Sequence, residues 1–421
     1  MRCSVCGATY MDDGRRLVCD RHHGPSMLVT EYRARRLVPD STAAGLFRYR
    51  CWLPCARELA GAGISVTFRS EGLGRRLGLR NLWVAFNGWW PERGARLSTA
   101  TFKELEAWAV LARLRWDHGD VLVVASAGNT AAAFAHVCGL VGLRCVLVVP
   151  ESGLGSLTLA SCSNPCVKVV ALEAPADYAD AIEVAGRVAA RDGFLAEGGT
   201  LNVGRRDGLG TVLLQAAETM GTLPDLYFQA VGSGAGAIAV DEAARRLVGD
   251  GRFGKTRPRL VLSQNEPFAP MAAAWEQGQR ELTPCPADDA RERIARMAAP
   301  VLSNRQPVYS VAGGVFDAVV GTGGDVSSVP NEEVWAAQRL FQESEGTDIE
   351  PASAVALASL ETSIDEGRVG RDELVLLNIT GGGGQRRRRE VGLAASPPAL
   401  RLPADETDAA GVADRVTRLF E

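Results

Sequence analysis

Lysine is nearly missing from this chain of 421 residues: 43 of its 46 basic residues are arginine, which leaves Lys103, Lys168 and Lys255. Where a bare cation is enough, such a composition supplies arginine, so each surviving lysine calls for a reason. A surplus of positive charge is missing too. The formal net charge is −4, which argues against a nucleic-acid partner or an anionic membrane surface, since both call for basic faces. The RRRR run at 386–389 is the one strong cationic cluster, and a solvated surface segment is expected there. No run of 18 or more apolar residues occurs, so no membrane helix is expected. The opening MRCSVCGATYMDDGRR has no apolar stretch of the signal-peptide kind, and cytoplasm is the expected location. The ten cysteines are scattered, and a chain this long does not depend on a disulfide framework.

What is present is the alternation of an α/β protein. Apolar, β-branched runs at 120–125, 144–150, 167–172, 226–232, 259–264 and 374–380 predict strands. Amphipathic segments at 130–142, 178–193, 237–251 and 353–367 predict helices between them, several ending in a glycine suited to a helix C-terminus. That order suits a parallel sheet flanked by helices.

Three turns stand out. VVASAGNTAAAFA (123–135) passes from a strand through Ser126, Ala127, Gly128, Asn129 and Thr130 into a helix. QAVGSGAGAIAV (229–240) does the same through alternating glycines, and LLNITGGGGQ (376–385) ends a strand on Thr380 before four glycines. Each can gather backbone N–H groups around an anion or a polar ring atom. Taken singly, each is also an ordinary α/β connection. A nicotinamide dinucleotide fits poorly, because GSGAGA reads G-x-G-x-G and the next strand, RLVLSQN, ends without an acidic residue for a ribose.

Lys103 stands where ELEAWAVLARLRW (104–116) begins a helix, with Leu105, Trp108, Ala109, Ala112 and Trp116 at helical spacing. The helix dipole disfavours a cation there, whereas a catalyst needing an amine of lowered pKa gains from the position. A reactive lysine, a phosphate nest and a polar residue closing another strand suggest pyridoxal phosphate held as a Schiff base.

Lys103 in TATFKE, Asn129 in SAGNT, the GSGAGA nest and Thr380 before GGGG resemble, in that order, the fold-type II pyridoxal-phosphate enzymes. That group includes tryptophan synthase β-subunits, cysteine synthases, threonine dehydratases and threonine synthases. CSVCGATY near the N-terminus and IEPASAVALASL (349–360) are similar to the threonine synthase branch. A narrower resemblance, to the cysteate synthase family, rests on FRSEGLGRRLGLRNLWVAFNGWWPERG (68–94), FKELEA (102–107), NVGRRDGLGT (202–211), PDLYFQAVGSGAGAI (224–238) and SNRQPVYSVAGGVFDA (303–318). Together these resemblances reach from about residue 1 to 385. Threonine synthases usually read GSFKDRG at the lysine, where this chain reads ATFKELE, which counts against plain threonine synthesis.

The resemblance implies a tryptophan synthase β-like α/β fold of two parallel or mixed sheets flanked by helices. A large PLP-binding domain would comprise 61–118 and 195–385, with a smaller α/β domain, 119–194, inserted in it. Residues 1–60 would form a Cys-rich tip and extension, and 386–421 an appendage. Lys103 would carry the cofactor and move the proton at Cα. Asn129 would meet the ring hydroxyl, Thr380 the pyridine nitrogen, and Gly232, Ser233, Gly234, Ala235, Gly236 and Ala237 the phosphate. Ser126, Ala127, Gly128 and Thr130 would grip the substrate carboxylate, with Thr101 donating to an anion nearby. Arg93, Arg96, Arg205 and Arg206 are candidate cations for the remaining anionic groups, since the planar fork of arginine suits phosphate and sulfonate oxygens.

The implied reaction is β-replacement on O-phospho-L-serine, in which phosphate leaves through an aminoacrylate and sulfite adds to give L-cysteate. Threonine synthesis from O-phosphohomoserine and replacement by another nucleophile, as in cysteine synthases, stay open. So does a catalytically silent binding protein of the same fold. A homo-oligomer is expected. At the other end, Cys3-x2-Cys6 and Cys19-x2-His22 have zinc-ribbon spacing, so a structural zinc on Cys3, Cys6, Cys19 and His22 is the corresponding expectation.

Overall fold

In the computed structural model, which describes residues 1–159, 164–406 and 411–421, the short β-branched runs form two sheets. In the larger one, Asp325–Val329, Arg259–Asn265, Leu226–Ala230, Leu374–Ile379 and Asn81–Phe86 lie parallel in that spatial order, and Val66–Arg69 closes one edge antiparallel. The smaller sheet is parallel throughout, in the order Phe194–Ala196, Val121–Ala125, Arg144–Pro150, Val167–Leu172 and Leu400–Leu402. Helices cover both faces of such sheets, which is why strands such as Leu226–Ala230 are buried at every position.

The helix Lys103–Arg113 joins the two halves. It packs against Asn129–Val141, which follows a strand of the smaller sheet, and against Val203–Met220, which precedes a strand of the larger one. Ten of its eleven residues are buried, Glu104 and Glu106 among them. Gly208 makes the close crossing feasible: a Cβ there would stand 2.6 Å from the Leu105 carbonyl oxygen and 2.7 Å from Ala109 Cβ.

Three expectations change here. The segment from 386 onward is no appendage, because Leu400–Leu402 is the edge strand of the smaller sheet and the helix Val412–Thr417 packs on Tyr178–Ala189. The arginine run is not wholly solvated either. It lies on the helix Gly384–Glu390, where Arg386 pairs with Glu92 and Glu390 while Arg387 is buried. At the Cys-rich tip, His23 rather than His22 faces the cysteines, its Nε2 lying 3.2 Å from Cys19 Sγ. The bend after Cys19 carries His22 outward into solvent, and the His23 ring is turned by a contact of 2.7 Å between Nδ1 and the Gly24 carbonyl. Among the described residues no helix is long and apolar enough to cross a membrane.

Candidate active site

Parallel strands deliver their loops to one end of a sheet, and here loops from both sheets meet. One cavity is lined by Lys103, the Ser126–Thr130 turn, Gln229, the Gly232–Gly236 turn and Thr380, with Tyr178 and Arg205 on the same wall.

The lysine starts its helix, as its sequence context predicts. Burial holds the Lys103 ammonium below the ordinary lysine range, and Arg205 pushes the same way while Glu106 opposes both. Glu106 is fully buried and accepts from three directions: Lys103 Nζ at 3.3 Å, Thr130 Oγ1 at 2.9 Å and Arg205 Nη1 at 2.8 Å. Arg205 also forks onto Glu197, donating from Nε at 3.0 Å and from Nη2. Two cations therefore face two carboxylates in a dry setting, where neither charge could be left alone cheaply.

The approach to the lysine is held by Glu104, whose Oε2 accepts from the Thr99 amide at 2.8 Å and the Thr99 hydroxyl at 3.2 Å. Burial nonetheless pushes its carboxyl up to about 7.

In the Ser126–Thr130 turn, the Ser126 hydroxyl accepts from the amides of Gly128 (3.0 Å) and Ala131 (2.9 Å), which ties the turn to the start of the helix Asn129–Val141. Asn129 donates to Glu350 at 2.8 Å, leaving its carbonyl oxygen free for another donor. At the second turn, the helix Ala235–Asp250 starts on the cavity wall, where its first amides have no acceptor within the helix. Thr380 closes its strand with Oγ1 at 3.2 Å from Ser353 Oγ, and Ser353 is itself bonded to the amide and carbonyl of Gly381.

Lys103, Asn129, Thr380, Ser126–Thr130 and Gly232–Gly236 thus come together, whereas Ala237, the third residue of its helix, is not on the cavity wall. Thr101 is buried with its hydroxyl unpaired and is not on the cavity wall. Three of the four arginines stand elsewhere. Arg93 lies over the rings of Phe68 and Trp90. Arg96 is exposed on a short hairpin paired with Trp89. Arg206 is fully buried, donating to Glu242 and to the carbonyls of Thr200 and Leu28. Arg205 reaches the cavity, but its guanidinium is committed to carboxylates. Glu106, Glu197, Glu350, Tyr178, Gln229 and Ser353 join the site without being singled out by sequence pattern. A signal existed for Glu106, three residues beyond the lysine on one helix face, and for Glu350 and Ser353 within IEPASA. The others come from segments that only the fold joins.

Residues 68–381 match the family described as "Pyridoxal-phosphate dependent enzyme". The chain is 46% identical over 383 residues to "Cysteate synthase" of Methanosarcina barkeri, covering 91% of each chain. It is 46% identical over 410 residues to "Cysteate synthase" of Methanosphaerula palustris, covering 97% of this chain and 95% of the relative. Among solved structures, maize serine racemase is similar with a TM-score of 0.57 at 16% identity, over 77% of this chain and 91% of that one. Diaminopropionate ammonia lyase from Escherichia coli reaches a TM-score of 0.60 at 14% identity, over 86% and 98%. At such identities these structures speak for the fold alone.

Proposed function

The chain belongs to the pyridoxal-phosphate dependent enzyme family, and from that premise we propose that it replaces the phosphate of O-phospho-L-serine by sulfite, giving L-cysteate. One observation carries the reading. A single lysine amine of lowered basicity shares its cavity with two turns of backbone amides, one for each of two anionic groups.

Pyridoxal phosphate fits the residues present. A Cβ at Gly232 would come within 2.9 Å of the Leu302 carbonyl oxygen, and one at Gly236 within 2.4 Å of Gln229 Nε2. The second turn is thus a cradle kept clear of side chains, of the kind an approaching phosphate needs. Lys103, the Asn129 side chain, the amides of 232–236 with the Ser233 hydroxyl, and Thr380 would hold the group. When bound, it supplies an electron sink for charge that develops at the substrate Cα.

The chain's own groups do the rest. The Lys103 amine takes and returns the Cα proton, a task suited to an amine made less basic by burial. Glu106 keeps that amine and Arg205 in place and compensates their charge. The Ser126–Thr130 amides orient the substrate carboxylate at a helix N-terminus. Thr380 offers a neutral hydroxyl, positioned by Ser353.

The nearest competing reading is threonine synthesis. At the lysine, the usual threonine synthase pattern GSFKDRG has glycine where this chain has Glu106, so the Lys103–Glu106–Arg205 arrangement has no counterpart in that pattern. Phosphate release from O-phosphoserine and O-phosphohomoserine, each with and without sulfite, separates the two. Cysteate should form only from O-phosphoserine with sulfite; turnover of O-phosphohomoserine alone would overturn the assignment. The reading includes a cytoplasmic homo-oligomer, whose assembly light scattering checks.

A further inference from the structure

Outside the cavity lining, four side chains of the N-terminal tip point at one another. Cys6 Sγ and Cys19 Sγ are 3.7 Å apart, His23 Nε2 lies 3.2 Å from Cys19 Sγ and 3.4 Å from Cys3 Sγ, and all four ligand atoms fall within 4.8 Å of each other. A tetrahedral zinc with Zn–S of about 2.3 Å and Zn–N of about 2.0–2.1 Å has edges of roughly 3.8 Å between sulfurs and roughly 3.5 Å between sulfur and nitrogen. The separations of 3.7, 3.4 and 3.2 Å lie close to those edges. A Cys6–Cys19 disulfide, by contrast, requires about 2.05 Å.

We propose that Cys3, Cys6, Cys19 and His23 hold one structural Zn²⁺, and that this ion fastens the tip to the loop backing the glycine-rich cradle. The surroundings are those of a metal site. His23 Nδ1 lies 2.7 Å from the Gly24 carbonyl, which selects the tautomer that leaves Nε2 free for a metal. Cys3 Sγ accepts from the Val5 amide at 3.4 Å and stands 3.2 Å from Ser26 Oγ. Tyr10 OH lies 3.1 Å from Cys19 Sγ while donating to Asp20. Four protein ligands leave no open position, so the ion would be structural. Thiolates with one imidazole favour zinc over magnesium or calcium, which take oxygen ligands.

The fastening follows from the hydrogen bonds of the same knuckle. Ser4 Oγ donates to the Ala312 carbonyl at 2.8 Å, and the Met27 amide donates to the same oxygen at 3.0 Å. From that loop the Val308 amide donates to the Ser233 carbonyl in the cradle. With the metal gone, three thiols and an imidazole on a small, partly exposed tip have little else to keep them together, and the loop loses its outer anchor.

The test uses the full-length protein and reads metal rather than turnover, so it stands apart from the assignment of the reaction. Elemental analysis after dialysis should find zinc equimolar with the chain. Cobalt exchanged into the unaltered protein should give the strong visible bands and thiolate charge transfer of a tetrahedral site, which needs no variant to fold. H22A should retain zinc, whereas H23A and C6S should lose it. Stripping the metal should speed hydrogen exchange at 303–314 and lower the Tm. Absence of zinc, iron in its place, loss of zinc in H22A, or unchanged exchange at 303–314 after stripping would overturn the proposal.

Discussion

Lys103 and Glu106 stand one helical turn apart with their charged ends 3.3 Å from each other, and the same carboxylate also receives Arg205. Neutralising it leaves the buried Arg205 and the partly buried Lys103 facing Glu197 alone. Breaking a buried pair by removing one partner costs about 3–5 kcal/mol; the amide of E106Q, which still accepts hydrogen bonds, should fall at the lower end, read as a drop in Tm. The Lys103 amine also loses the larger of the two carboxylate charges that raise its pKa, Glu106, and keeps only the weaker effect of Glu197. A larger fraction is then neutral at any given pH. The acid limb of pyridoxal phosphate uptake by the apoenzyme should therefore move to lower pH in E106Q. An acid limb that stays in place would show that Glu106 does not set the basicity of the lysine.

Glu104 makes a different prediction, about stability and pH. Its carboxyl is raised from 4.5 to about 7, chiefly by burial. Between those values the unfolded chain holds fewer protons than the native one, so the contribution of this group to stability falls as pH rises. The loss is complete above the folded value and is on the order of 3 kcal/mol. E104Q keeps an acceptor for the Thr99 amide without the charge. Relative to the unaltered protein it should gain stability between pH 5 and pH 8, measured by urea midpoints. An equal offset at both pH values would refute this.

Gly234 tests the cradle. It sits at φ +87°, and a Cβ there would meet Val315 Cγ2 at 2.2 Å. G234A should cost about 1–3 kcal/mol through backbone strain and overlap, and should weaken pyridoxal phosphate binding about tenfold or more, as the loss of about 1.4 kcal/mol would. The double variant G234A/V315A removes the overlap and leaves the φ. Partial recovery of affinity is expected; no recovery would assign the whole effect to the backbone.

The sites that could be read from the sequence were those whose chemistry lies within one turn. Lys103, Asn129, the 232–236 turn and Thr380 each close or open an element, so local pattern was enough to single them out. Arginine partners could not be read in that way. Arg205 and Arg206 are neighbours in NVGRRDGLGT, yet successive residues on a helix point in different directions, one to Glu106 and Glu197, the other to Glu242. Which carboxylates meet them depends on segments far away in the chain. The same holds for strands. Asp325–Val329 reads DVSSV, too polar to signal an edge strand, and Phe194–Ala196 has only three residues. Zinc-ribbon spacing favours His22, one position before His23, whereas the bend at 21–24 decides which ring turns inward.

The C-terminal segment is where sequence pattern misled most, and it yields the last prediction. Leu400–Leu402 runs parallel to Val167–Leu172, with the Glu173 amide donating to the Leu402 carbonyl at 2.9 Å and the Ala399 amide to that of Val169 at 2.8 Å. Leu402, Val412 and Val416 are fully buried against Val170, Leu172, Ala181 and Val184, and Phe420 packs edge-on to Phe194. Burying an aliphatic side chain contributes about 1.5–3 kcal/mol, so those three residues alone stand for roughly 5–9 kcal/mol. Removing everything after residue 396 would also bare the backbone edge of Val167–Leu172, which invites pairing with another chain. The truncated protein should therefore lose Tm and aggregate. L402A in the full-length chain leaves that edge covered and should cost about 2–5 kcal/mol without aggregation. A truncated chain that melts and stays monodisperse like the full-length protein would mean that the smaller sheet is complete without its fifth strand.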